Sequence, residues 1–502
     1  MTQVEALIYG FGVAFEYHNL LLCLAGCIIG TLVGVLPGIG PAGALAMLLP
    51  VTLSLPPVSA VIMLAGIYYG AMYGGSTTAI LINIPGEAAS IVTTIDGNRM
   101  AQQGRAGPAL AIAALGSFVA GTIAVLGLMF VAPPLASVAL AFQSPEYVAL
   151  VILGLTFLSY VSMGSTARAM MMAAAGLLLG TVGNDPVGGV DRFTLGMTDL
   201  GGGFGLVPVV VGLFGVSEIL VNLYEKDSVR SFTTKIGRLL PTRDDLARSV
   251  MPVLRGSGIG FLIGLLPGGN AIIAAILSYA IERRVSKTPE RFGNGAIEGV
   301  AGPESANNAA SISCFVPVLT LGVPTNAIMA LLLAALMIHG VLPGPQLINR
   351  NPELFWGTIA SMHIGNAMLL VLNLPLVGLW VHLLRVPYNY LFPLVLLFCV
   401  LGAYTVGNST FDLFVMIGFG VLGFVMRIAG FEPAPLILAY ILGPLLEENL
   451  RRALVVSDGT FTMFLERPIA LTLLLIAILV PLLSVIAPWF RRVASVVKTS
   501  AD

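Results

Sequence analysis

Two segments gather hydroxyl and amide side chains inside otherwise apolar sequence: GGSTTAILINIPGEAAS at 74–90 and PESANNAASISCFVPVLTLGVPTNA at 303–327. Ser76, Thr77, Thr78 and Asn83 in the first, and Ser305, Asn307, Asn308, Ser311, Thr325 and Asn326 in the second, offer donors to an anion and neutral oxygens to a cation. Each such group costs free energy in apolar surroundings unless it finds a partner. Clusters of them therefore imply a space lined by water or filled by a ligand. The competing reading is hydrogen bonding between helices, worth about 0.6 kcal/mol per contact in a bilayer. Both segments run to an Ile/Val-Pro-Gly/Thr turn and then to Glu87-Ala88 or Asn326-Ala327, although aligning them needs a gap. Glu87 and Glu304 stand beside the clusters, as cation ligands or at the water boundary, because a carboxylate at the bilayer centre costs at least about 2.5–3.5 kcal/mol.

A second repeat needs no gap. IGTLVGVLPGIGPAGA at 29–44 matches IGFLIGLLPGGNAIIA at 259–274, pairing Gly30, Gly34, Pro37, Gly38 and Ala44 with Gly260, Gly264, Pro267, Gly268 and Ala274. A Pro-Gly break leaves a half-helix whose N-terminus carries about half a positive charge and free N–H groups suited to a carboxylate. Free carbonyls on the other side of the break suit Na⁺, and breaks in corresponding halves of a hydrophobic chain mark the central site of secondary transporters. The expected substrate contacts are Pro37, Gly38, Gly40, Gly268, Gly269 and Asn270, with Ser76, Thr77, Thr78, Asn83, Asn307, Asn308, Thr325 and Asn326. The expected Na⁺ sites are Gly38, Gly268, Ser305 and Ser311. Gly30, Gly34, Gly260 and Gly264 read instead as points of close helix packing.

These residues need a membrane scaffold, and the composition supplies one. Of 502 residues 57% are hydrophobic and 10% charged, with mean hydropathy +0.96, against roughly 25% charged in soluble domains. The fold class is an all-α polytopic membrane protein of about 10–12 transmembrane segments, each needing about 20 apolar residues. Clear spans are 108–132, 146–162, 167–183, 205–224, 355–384, 391–406, 411–430 and 469–490. Lys and Arg are absent from the first 98 residues, whereas basic residues flank both ends of the second Pro-Gly segment. By the positive-inside rule, residues 256–281 then form a re-entrant hairpin with its tip near Pro267, and 20–55 a hairpin entering from the other face. Such backbone is tolerated at depth only where protein or a wet cavity covers it. The expected organisation is an inverted-topology repeat: 1–224 and 256–490, joined by a cytoplasmic linker at 225–255 and followed by a tail at 491–502. Loop 184–204, with Asp185, Asp191, Asp199 and Arg192, reads as an extracytoplasmic connection.

Several chemistries drop out. A net charge of −1 leaves no basic face for nucleic acid. No lysine follows a glycine, so the phosphate-binding GK[ST] loop is missing. The four histidines lack metal-ligand spacing, and neither GxSxG nor HExxH occurs. The chain is not expected to be an enzyme or to need a cofactor beyond a coupling ion. Cys23, Cys27, Cys314 and Cys399 read as small buried hydrophobes. Asp412, Arg427 and Glu432 are candidates for a structural pair. A channel or a non-transporting membrane scaffold is the alternative class.

The strings GVLPGIGPAGALAMLLPVT (34–52), YYGAMYGGSTTAILINIPGEAASIVTTIDG (68–97) and GLLPGGNAIIAAILSYAIERRVSKTPERFGNGAIEGVAGPESANNAA (264–310) resemble the large membrane subunit of the tripartite tricarboxylate transporters, the TctA family. The resemblance implies a bacterial inner-membrane protein working with a small membrane subunit of about four helices and a periplasmic solute-binding protein. It also implies uptake of citrate or other organic acids driven by an ion gradient, with Na⁺ implicated for citrate systems. The paired hairpins are similar to those of elevator-type anion transporters, whose hairpin tips hold carboxylates and Na⁺.

Overall fold

Glycines at every fourth position let helix backbones touch, and that spacing organises the centre of the protein. The computed structural model describes residues 2–36, 40–161, 165–185, 188–225, 236–266, 268–383, 388–479 and 481–482. Pro37, Gly38 and Pro267, part of the linker and the 491–502 tail lie outside the described residues.

The first break separates helix Tyr17–Val35 from helix Gly40–Thr52, and the second separates Arg243–Leu265 from Ala271–Val285. Each hairpin is followed by a central helix, Pro57–Ile82 after the first and Glu298–Ser313 after the second. Gly26, Gly30 and Gly34 lie against the carbonyls of Met63, Ile67 and Ala71, and Gly256, Gly260 and Gly264 against those of Gly302, Ala306 and Ala310. A step of four on one helix meets a step of four on the other, so each leading hairpin helix runs parallel to its central helix. The packing role read for Gly30, Gly34, Gly260 and Gly264 is thus borne out, since a Cβ at any of them would overlap backbone atoms.

The two central helices cross with opposite sense: Tyr68 meets Cys314 (3.8 Å) and Ser76 meets Glu304 (2.5 Å), so one sequence rises as the other falls. Parallel packing within each unit and antiparallel packing between them give the two units inverted topology. Every residue from Val58 to Leu81 and from Gly299 to Ser313 is buried. Ser76, Asn307 and their neighbours therefore face protein rather than lipid. The long helices Ala106–Ala139 and Pro352–Asn373 close the bundle, joined where Asn366 Nδ2 donates to Phe118 O (2.8 Å).

Seven described helices are long and apolar enough to cross a bilayer, with six shorter apolar helices beside them. The described strands are Gly183–Asn184 and Asp191–Arg192, paired antiparallel within the expected loop. That loop is tied to helix Pro433–Val456, Arg192 pairing with Glu447 (2.7 Å) and Asp185 with Arg451 (3.1 Å). The helix entering the second break starts at Arg243, well inside the charged stretch read as linker. A capping box between Thr242 and Asp245 begins it, and Arg248–Glu298 (2.7 Å) docks its charged turns onto the second central helix. Asp96, fully buried, joins the units by accepting from the N–H groups of Gly293 (2.9 Å), Gly295 (2.8 Å) and Ala296 (2.9 Å) and from the Tyr279 hydroxyl (2.9 Å).

Gly260→Val is expected to lower stability by about 1–3 kcal/mol through overpacking, read as a lower unfolding midpoint in detergent. Gly258→Ala two residues away is the control. Nothing lies within 4 Å of a Cβ there, so it should stabilise by up to about 1 kcal/mol from helix propensity. Equal behaviour of the two variants would refute the glycine contact as the cause.

Candidate functional site

Asparagine is a favoured N-cap because its side-chain oxygen takes one of the N–H groups that a helix start leaves unpaired. Asn270 caps Ala271–Val285, its Oδ1 accepting from Ile273 N (2.9 Å), and Asn326 caps Ala327–Ile338, accepting from Met329 N (3.0 Å). Helix Gly40–Thr52 starts in the same region with Gly40 at φ +64° and Pro41 in its first turn, where a missing N–H costs nothing. These three helix N-termini open onto one cavity of about 410 Å³, which Gly40, Asn270 and Asn326 help line. Its remaining wall includes Tyr68, Met72, Glu87, Phe214 and the ion pair between Arg427 and Glu218. Arg427 is the one basic side chain on the cavity among the described residues. Three helix ends and a guanidinium are groups that attract an anion, and they share the cavity with the carboxylates of Glu87, Glu218 and Glu432.

Of two buried carboxylates here, Glu87 lines the cavity and Glu304 does not. Glu87 is 6% exposed; its Oε2 accepts from Ala89 N (2.5 Å) and its Oε1 from Asn307 Nδ2 (3.2 Å). Glu304 is fully buried and accepts from the Ser76 hydroxyl (2.5 Å) and from the Thr93 hydroxyl. The crossing of the central helices encloses Glu304, so its water-boundary reading is corrected, whereas Glu87 stands on the wall of the 410 Å³ cavity. Among the described residues no basic side chain is paired with either.

The other expected site residues divide by location. Gly268 (φ +76°) and Gly269 are buried in the second break, just before the Asn270 cap. Asn307 reaches the cavity wall through Glu87, and Asn308 Nδ2 donates to Ser117 Oγ (2.7 Å). Thr325 is buried beside Asn326. Thr78 donates to Gly75 O (3.0 Å) and Ser311 to Asn308 O (2.8 Å), while Ser305 Oγ is buried without a partner. Ser76 and Thr77 face a second, much smaller cavity. Asn83 is an exposed left-handed cap (φ +60°) ending Pro57–Ile82 and does not line the large cavity. Arg427 pairs with Glu218, a residue the sequence reading did not single out, and the pair lies on the cavity. Its signal was a lone arginine in the apolar run 411–430.

A family profile described as the tripartite tricarboxylate transporter TctA family matches residues 20–438. The chain belongs to the TctA family. An uncharacterised 52.8 kDa protein from the TAR-I ttuC' 3' region of Agrobacterium vitis is 50% identical over 478 residues, covering 95% of both chains. A second Agrobacterium vitis protein, from the TAR-II ttuC' 3' region, is 53% identical over 215 residues, 43% of this chain and 89% of its own. No solved structure matches. Membership in the TctA family makes the chain a multi-pass subunit of a tripartite transporter, in a family of transporters rather than enzymes.

Proposed function

We propose that this TctA-family chain is the permease of a binding-protein-dependent secondary transporter that imports tricarboxylates or related organic acids by Na⁺ symport. The observation that carries the reading is the convergence of three helix N-termini, drawn from both hairpin units, with Arg427 on one cavity. A tricarboxylate needs several donors at once, and helix ends supply them without the cost of burying free charge. The proposed partners are a small four-helix membrane subunit and a periplasmic solute-binding protein, in the bacterial inner membrane. In this scheme 1–224 and 256–490 are the two repeats, 225–255 joins them with its last residues already in helix Arg243–Leu265 of the second unit, and Na⁺ is carried together with the acid.

The test is uptake of radiolabelled citrate and other carboxylates into proteoliposomes holding the chain and its small subunit, with the binding protein added and Na⁺ or proton gradients imposed separately. Accumulation that requires the binding protein and the Na⁺ gradient is the expected result. Equilibration without any gradient would mark a channel, and accumulation driven by protons alone would replace Na⁺ as the coupling ion.

A further inference from the structure

Where the first central helix passes Ala106–Ala139 and the end of Pro352–Asn373, a cavity of about 10 Å³ remains, room for one water-sized occupant. All of its lining residues are buried. Its polar wall is Tyr73, Ser76, Thr77, Ser117 and Asn373, and the rest is leucine and alanine.

The hydrogen bonds around this space point outward. Tyr73 donates its hydroxyl hydrogen to Asn366 Oδ1 (2.5 Å), and Ser76 donates to Glu304 Oε2 (2.5 Å). Both hydroxyl oxygens therefore keep their lone pairs for other partners. Asn373 is 4% exposed; its Nδ2 donates to Leu369 O (3.0 Å) and its Oδ1 has no partner. Ser117 Oγ is held by Asn308 Nδ2 (2.7 Å), and Asn308 Oδ1 is likewise buried and unpartnered. A small space rich in oxygen acceptors has the donor set of a hard cation. The charge count agrees, because Glu304, one hydroxyl away through Ser76, is buried with no basic partner among the described residues. In its ionised form such a buried carboxylate is costly, and a cation on the far side of Ser76 would offset that cost through the polarised hydroxyl.

We propose that this cavity binds one monovalent cation, Na⁺, between Ser76, Thr77, Ser117 and Asn373, with Glu304 as its counter-charge. Neutral ligands with Glu304 joined to them through Ser76 suit one positive charge, and the volume favours a small ion. The site is separate from the hairpin breaks, so it lets an ion brace the helix crossing that carries the Glu87 wall of the large cavity. The part this ion plays in coupling rests on the symport reading; its binding does not.

The experiment measures equilibrium binding of ²²Na⁺ and the thermal unfolding midpoint of the purified chain, without substrate or gradient, in NaCl, KCl and choline chloride at matched ionic strength. Wild type is expected to bind ²²Na⁺ saturably, with a midpoint that climbs with the logarithm of Na⁺ concentration and responds less to K⁺ and not to choline. Thr77→Val, nearly isosteric, should weaken Na⁺ binding at least about tenfold, or about 1.4 kcal/mol, with an unchanged midpoint in choline. Thr77→Ser should restore binding. Ser117→Ala gives a second reading should Thr77→Val fold poorly. No saturable ²²Na⁺ binding, equal stabilisation by choline, or wild-type Na⁺ affinity in Thr77→Val and Ser117→Ala would each overturn the proposal and leave the cavity to water. Na⁺ binding without Na⁺-driven uptake would overturn the symport reading and leave this site standing.

Discussion

Replacing Arg427 with glutamine is expected to raise the substrate concentration for half-maximal uptake by about tenfold to a hundredfold, whereas replacing Glu218 with glutamine should lower it. The guanidinium is the one basic group on the large cavity among the described residues, and it is held there by Glu218. Both side chains are partly exposed, 28% and 18%, toward the cavity they line. A hydrogen bond from a charged group contributes about 1.5–3 kcal/mol, and each 1.4 kcal/mol is about a factor of ten in affinity. Losing Arg427 removes that attraction and leaves the Glu218 carboxylate facing an incoming anion. Losing the Glu218 charge loosens the hold on the guanidinium, leaving Glu432 as the other carboxylate near it on the cavity, and favours a substrate carboxylate taken in two parallel hydrogen bonds. The two variants therefore shift half-saturation in opposite directions, which a purely structural ion pair cannot do. Concentration series of citrate uptake in proteoliposomes, set against the unfolding midpoint of each variant, decide the matter. Shared instability with unchanged half-saturation in both variants would reduce the pair to a brace.

Local patterns in the sequence carried much of this arrangement. The aligned repeat at 29–44 and 259–274 marked both hairpins, because a Pro-Gly break and fourfold glycine spacing are visible without tertiary context. Asn270 and Asn326 were legible for a related reason: an N-cap is chosen by residues three positions away, here Ile273 and Met329. Partners distant in sequence were not legible. Glu218 finds Arg427 only because helix Leu206–Tyr224 packs along Thr410–Ile428, where Gly212 meets the Met416 carbonyl. Glu304 looked as much like a boundary residue as an interior one until Ser76 and Thr93 closed over it from the other unit. Asp96 reads as one acidic charge before a basic loop, whereas its partners at 279 and 293–296 belong to the second half of the chain. Local spacing thus announces which backbone is broken and capped. The charge compensating a buried carboxylate depends on how two distant units cross, and no single segment encodes that.

Gly268→Val should reduce uptake more than about a hundredfold while the protein still inserts and folds. Gly268 sits at φ +76°, in the left-handed region where a β-branched residue is a genuine outlier, and it is buried with Gly269. The strain of about 1–2 kcal/mol for a left-handed residue is small beside the stability of a bundle this size. It is large for a turn that must hold the Asn270 cap at the mouth of the cavity, because the introduced valine would push the chain toward negative φ and swing that helix start away from its partners. A displacement of about 1 Å in a positioning group can cost about a hundredfold in rate. The loss should therefore appear in transport and not in expression, detergent extraction or unfolding midpoint. Gly269→Ala offers a second route to the same end, since its Cβ would overlap the Ile263 carbonyl across the break. Gly258→Ala on the helix leading into the break, facing open space, should transport normally. Wild-type uptake by Gly268→Val and Gly269→Ala would show that the second break only lets helices approach, and the anion site would then have to be built from Gly40, Asn326 and Arg427 alone.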